Sequence, residues 1–306
     1  MDKIRSTLET VLLSPQDRRL RAGWRVTLQG FLVLALQLCL SLPLIFLPGV
    51  LEVGPISMTV LAASAVVGAL AITAAVAIAR RLLDRRSFVS LGLQMDRRTL
   101  TDLLVGFGIS GAQMALVFAL ESGLGWLHWE GWAWEIASTG SVAVGTGLAL
   151  LSFVLVGYQE ELWSRGYQLQ NLKEGSGLPW AVVLSSLIFA LLHLGNPGAG
   201  TASTIGLFVA GAYLAFAWIR TRQLWLSIGL HIGWNFFEGT VFGFAVSGLD
   251  LTPLARHTVF GPAWATGGAF GPEAGLIVLP AYVLGVALIL LYTRRRRTAP
   301  PPETAS

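Results

Sequence analysis

Three short stretches of this sequence place ionisable or amide side chains among neighbours that are almost all apolar. The first reads Tyr158-Gln159-Glu160-Glu161-Leu162-Trp163-Ser164-Arg165. On a helix Glu161 and Arg165 share a face at i, i+4 and can pair, while Glu160 is rotated about 100° away. One carboxylate is then neutralised by the arginine and orients, and the other is left as a free base. The second stretch, Phe189-Ala190-Leu191-Leu192-His193, carries His193 as the one ionisable group of its apolar run. The third sets His231 and Asn235 one above the other, with Glu238 three positions on near the same face. Each has a plainer reading alone: a charged helix end, a hydrogen-bonded core histidine, a polar contact between helices. Together they make a hydrolytic set. A carboxylate in a low dielectric suits a general base, a histidine can share or relay the proton, and an asparagine with a second histidine can donate to a developing oxyanion. Two histidines and a glutamate (Glu160, His193, His231) could also hold Zn2+. No Gly-x-Ser-x-Gly elbow and no His-Glu-x-x-His helix is present.

These residues need a frame, and the composition says which kind. Of 306 residues 54% are hydrophobic and only 12% charged, against roughly 25% charged in ordinary soluble domains. Mean hydropathy is +0.66. A soluble globular enzyme and a disordered chain are both excluded. Eight apolar segments approach the roughly 20 residues a bilayer-spanning helix needs. They lie near 26–47, 57–79, 103–126, 143–172, 178–196, 203–219, 224–246 and 274–293. The fold class expected is all-α, a polytopic membrane helix bundle of about eight transmembrane helices. No cleaved signal peptide is expected, since the first 25 residues are polar. At ~1.5 Å per residue, Glu160 lies ~20 Å from Lys173, His193 ~22 Å from Leu178 and His231 ~13 Å from Arg222. Tilts or kinks have to close that difference.

The basic residues orient the bundle. The N-terminal arm, the links after the second, fourth and sixth segments, and the tail hold all but one of the 21 Lys and Arg; only Arg256 falls opposite. The positive-inside rule then places both termini in the cytoplasm and the chain in the cell membrane as a multi-pass protein. The same placement turns a basic isoelectric point near 9.6 into a lipid signal and removes nucleic acid as a partner. Loop 127–142 has no Lys or Arg and sits among Trp126, Trp129, Trp132 and Trp134, an interfacial aromatic belt or, less simply, a sugar or lipid platform. The stretch Asp84 to Leu93 reads as an interfacial segment, basic at one end and apolar at the other. Loop 247–273 is Gly/Pro-rich and has no evident purpose. The single cysteine, Cys39, excludes an internal disulfide and reads as a packing residue among apolar neighbours.

At its polar stretches the sequence resembles the CPBP intramembrane proteases (CAAX protease and bacteriocin-processing, or Abi, family), which include the CAAX endopeptidase of eukaryotes. Their motifs EExxxR, FxxxH and HxxxN/D stand here in order as Glu160-Glu161-x-x-x-Arg165, Phe189-x-x-x-His193 and His231-x-x-x-Asn235. The resemblance covers about 80–240. It implies that Glu160 and His193 activate a water, that His231 and Asn235 stabilise the oxyanion, and that Glu161 and Arg165 orient the site. It leaves the cofactor open: none, or Zn2+ if the enzyme is metal-dependent. The implied function is an intramembrane endopeptidase acting on a membrane-associated peptide or protein. Its rivals are a transporter or proton-coupled carrier, and a non-catalytic immunity or scaffold protein of the same fold. The organisation expected is a basic arm over 1–25, a transmembrane domain over 26–293 and a disordered tail over 294–306.

Overall fold

The computed structural model describes residues 11–15, 17–46, 58–249, 251 and 253–295. Residues 1–10 of the expected arm, and the expected tail from 296 on, lie outside them. All eight expected segments are helical over most of their length. α1 is Ala22–Ser41, α2 Met58–Ala79, α3 Thr99–Gly123, α4 Thr139–Glu161, α5 Leu169–Leu192, α6 Thr201–Thr221, α7 Trp225–Asn235 and α8 Val278–Thr293. Five helical stretches are long and apolar enough to cross a membrane: Ala22–Phe46, Met58–Asp84, Thr99–Gly123, Thr139–Leu192 and Thr201–Thr221. The fourth of these runs 54 residues and holds two of the expected spans. It is broken at Gly177, whose φ of 79° is open to glycine and costly for other residues, and Pro179 follows. Large apolar side chains such as Phe31, Leu104, Val144, Ile205 and Val283 face outwards. In water such a surface would drive association; in a bilayer it is simply solvated.

α7 is the axis of the bundle. Every residue from Leu226 to Asn235 is buried. Gly229 and Gly233 stand at i, i+4 around His231, and a Cβ on either would run into the α3 backbone, at Leu103 and Phe107. Small residues at this spacing let two helix backbones touch, which is how helices pack where lipid removes the hydrophobic drive. Ser110 on α3 adds a hydrogen bond to the Leu230 carbonyl at 2.7 Å. α1 is at the other extreme, with only Ala22, Arg25, Gln29 and Val33 buried. Cys39 on this helix is exposed rather than packed, because the face it occupies looks outwards.

The basic links gather at one end. Arg25 and Arg80 both grip Asp84, at 2.8 and 2.9 Å, and Arg25 reaches Glu174 at 2.8 Å. Lys173 and Arg222 both lie against the Trp218 ring, at 5.8 and 5.0 Å from its centroid. At this end the Gly92 carbonyl accepts from the Leu224 amide at 2.8 Å, so the interfacial stretch 84–93 seats the start of α7. At the opposite end the two long loops meet. β1 (Leu127–Trp132) pairs antiparallel with β2 (Ala255–Val259), with a bulge between Trp129 and Gly131. Trp129, Trp132 and Trp134 are exposed there, and the Trp132 and Trp134 rings stack 4.8 Å apart. The 247–273 loop, unassigned from the sequence, thus closes this end and turns back into the bundle.

Candidate active site

Glu160 and Glu161 end α4. The chain then winds through a π-helical stretch, Leu162–Gln168, before α5 begins. π-turns accommodate an extra residue and recur at functional sites. This one turns Arg165 inward, where Nη1 pairs with Glu161 Oε1 at 3.0 Å and Nη2 donates to the Gly211 carbonyl at 3.2 Å. Both side chains are essentially buried. The ion pair expected between Glu161 and Arg165 is therefore formed.

His193 caps the end of α5, with its Nδ1 2.8 Å from the Phe189 carbonyl, the first residue of its own motif. His231 turns its Nδ1 to Glu161 Oε1 at 2.9 Å. A carbonyl and a carboxylate only accept, so each Nδ1 is the donor, and each Nε2 is the atom left over. Both Nε2 atoms face the same carboxylate oxygen, Glu160 Oε2, at 3.8 Å from His193 and 3.7 Å from His231. That oxygen is buried and has no hydrogen-bond partner among the described residues. Three polar atoms, from α4, the end of α5 and α7, converge on one point. A water at about 2.8 Å from two of them would fit between and satisfy both with its two hydrogens.

Phe189 ties the centre together. The Arg165 guanidinium lies over its ring at 4.5 Å, with His193 4.8 Å away and His231 presenting an edge at 6.1 Å. Asn235 lies one turn beyond His231, nearly buried, on the wall of a cavity of about 820 Å3 that Glu160, His193 and His231 also line. Val33, Leu34, Leu61 and Ile72 give that cavity an apolar flank between α1 and α2. Its size is that of a small-molecule or peptide-side-chain pocket.

Two residues differ from the sequence reading. Glu238 stands in a π-turn beyond α7 and does not line the cavity. Glu273, which sequence reasoning passed over, does line it. Glu273 accepts from Trp234 Nε1 at 3.1 Å and from Ser247 Oγ at 2.5 Å, and the Ser247 carbonyl accepts from Asn196 Nδ2 at 2.9 Å. It thus joins the segment after His193 to the helix that carries Asn235. Its sequence signal was a lone carboxylate just ahead of an apolar segment, in a loop without a motif.

Glu160, His193 and His231 are donor types that suit zinc. Their spacing does not: among the described residues no group of three or more His, Cys, Asp or Glu is placed to hold a metal ion.

A carboxylate and two imidazoles thus line a largely apolar cavity, within a bundle that includes five helical stretches long and apolar enough to cross a membrane. Those features define a polytopic helical membrane protein with a polar cluster in its interior. Residues 141–237 match the family model described as type II CAAX prenyl endopeptidase Rce1-like, a stretch that begins in α4, ends just past Asn235 and contains all three motifs. Residues 141–237 are thus similar to a CAAX-type endopeptidase domain, and helices long and apolar enough to cross a membrane surround them. No curated protein matches the chain significantly.

Proposed function

We propose that the protein is an intramembrane endopeptidase that hydrolyses a peptide bond with a water activated by Glu160. The observation that carries this reading is the convergence of His193 and His231 Nε2 on the unpartnered Glu160 Oε2. The water lies between Glu160 and His193. Glu160 takes one of its protons, and His193 Nε2 accepts a hydrogen bond from the other. The hydroxide oxygen attacks the carbonyl carbon of the scissile bond. The carbonyl oxygen, now negative, receives hydrogen bonds from Asn235 and from His231 Nε2–H. As such a donor His231 carries its second proton, and the Glu161 carboxylate at Nδ1 balances that charge, with Arg165 holding Glu161 in place. Glu160 then returns its proton to the leaving amine, and the C–N bond breaks.

The substrate in this reading is a peptide or protein associated with the bilayer. It enters from the arginine-rich, cytoplasmic end, where the motif-bearing helices are charged. The cell membrane is the proposed location, with both termini cytoplasmic and the transmembrane domain over 26–293.

The experiment is a paired comparison of wild type and Glu160→Ala, expressed equally in cells or liposomes, with C-terminal membrane peptides read by mass spectrometry. A product formed only by the wild type is expected, and it is expected to persist with a chelator present. Equal products from the two proteins would overturn the mechanism, and loss of product with chelator would assign a metal to the site.

A further inference from the structure

The arginine-rich end holds more positive charge than its carboxylates can neutralise, and part of the surplus surrounds one depression. Asp84 is occupied by Arg25, Arg80 and Asn171. Glu174 is occupied by Arg25, Arg19 and Arg86. Arg80 is spent inward as well, on the Ser87 carbonyl and Ser90 Oγ. The side chains of Arg81 and Arg85 make no hydrogen bond or ion pair among the described residues, and both residues are exposed. The chain between them is a π-turn, Arg80–Asp84, closed by Arg85 at a left-handed φ of 53°. That reversal brings Arg81, Arg85, Arg86 and Ser87, with Ala77 and Phe88, around a shallow depression of about 550 Å3.

We propose that this depression is a binding site for the phosphate of an anionic phospholipid, with Arg81 and Arg85 as its principal contacts. Guanidinium groups present forked donors that match phosphate oxygens, and these two have no carboxylate to compete for them. A lipid fits better than a free phosphate because exposed apolar side chains, Ile78, Leu82 and Val89, flank the arginines along the chain. Arg81 and Arg85 stand at the end of the Met58–Asp84 stretch, which is long and apolar enough to cross a membrane, and an anionic membrane surface attracts such groups. The headgroup would brace the stretch that continues through Leu91, whose carbonyl accepts from Gln170 Nε2 at 2.7 Å, to Gly92 and the start of α7. The site rests on no assumption about the chemistry at Glu160.

The test uses the full chain in nanodiscs of phosphatidylcholine with a minor share of phosphatidylglycerol. Co-purified lipid is counted by native mass spectrometry, and the thermal midpoint is followed in both lipids. The wild type is expected to retain phosphatidylglycerol and to be stabilised by it. Arg85→Gln should lower that preference about tenfold and Arg81→Gln/Arg85→Gln about 100-fold, the loss expected when charge-assisted hydrogen bonds to the phosphate are removed. Arg97→Gln/Arg98→Gln, which removes the same charge from a neighbouring exposed position, should keep it. Equal loss in the 97/98 variant would show bulk electrostatics only and overturn the site. So would full retention by the 81/85 variant. Equal stabilisation by inorganic phosphate in pure phosphatidylcholine would show a small-anion site and overturn the lipid assignment. The midpoints in phosphatidylcholine confirm that each variant folds.

Discussion

His231 Nδ1 and Glu161 Oε1 are joined at 2.9 Å, and that bond decides which nitrogen of the imidazole meets the cavity. The same Glu161 oxygen is held by Arg165 at 3.0 Å. The carboxylate therefore serves two partners, one on its own chain stretch and one on α7. Replacing Glu161 with Gln would leave a buried guanidinium without its counter-charge. We expect a stability loss of about 3–5 kcal/mol, the usual cost of breaking a buried ion pair from one side. Chemical unfolding in detergent measures it, and Glu161→Gln/Arg165→Met should recover much of the loss. A single variant as stable as wild type would mean the pair is not buried as described.

Asn235 lines the cavity, and its side chain makes no hydrogen bond among the described residues. In its proposed role as oxyanion donor it would act only on the transition state. Asn235→Ala should therefore lower kcat by about 10²–10³ with KM little changed. Thermal melting should stay at the wild-type value. A change confined to KM would move Asn235 from the reacting atoms to substrate binding.

The backbone contact of α7 with α3 leaves no room for a side chain at Gly229 or Gly233. Gly229→Val should destabilise the protein by about 1–3 kcal/mol through overpacking, and it should displace His231 as it does so. Both melting temperature and cleavage should fall together. Gly140, where a Cβ meets nothing within 4 Å, provides the control, with an Ala substitution expected to be silent.

The motifs were legible because i, i+4 spacing survives any packing. Glu161 meets Arg165, and Asn235 lies a turn from His231, as a single helix dictates. Their meeting point was less legible. Counting residues from the helix ends left Glu160, His193 and His231 several ångströms apart in depth. The π-stretch after Glu161, the break at Gly177 and the start of α7 at Trp225 close that gap, and none of these is a property of hydrophobic period. Glu273 was illegible for a different reason. It reaches the cavity only because the 247–273 loop turns back, held by Gly248 donating to the Phe270 carbonyl and by Gly271 at φ 102°, and such a path has no local sequence signature.

His257 on β2 adds a pH dependence away from the site. Burial holds its pKa below the ordinary histidine value, although the Phe242 carbonyl and Glu130 pull the other way. Its Nδ1 is buried without a partner among the described residues. The unfolded chain therefore binds a proton near 6.5 that the folded sheet binds only at lower pH. The stability His257 confers is complete above that unfolded value and is lost as pH falls through it, down to the folded value. Amide protection in β1 and β2, corrected for the intrinsic exchange rate at each pH, should be lower at acidic than at neutral pH, and His257→Asn should flatten the difference. An unchanged profile in the variant would assign the titration elsewhere.

α1 contributes four buried residues to the interior, yet Val26, Gly30 and Leu34 wall the cavity on its lipid side. α7, behind the same cavity, is locked by backbone contact. On the proposed reading, the least embedded helix flanks the cavity while the most embedded one backs it. Local opening is drawn from the least stable element, so α1 is the helix whose displacement would widen the cavity towards lipid, and bilayer thickness would bear on the proposed reaction through that helix.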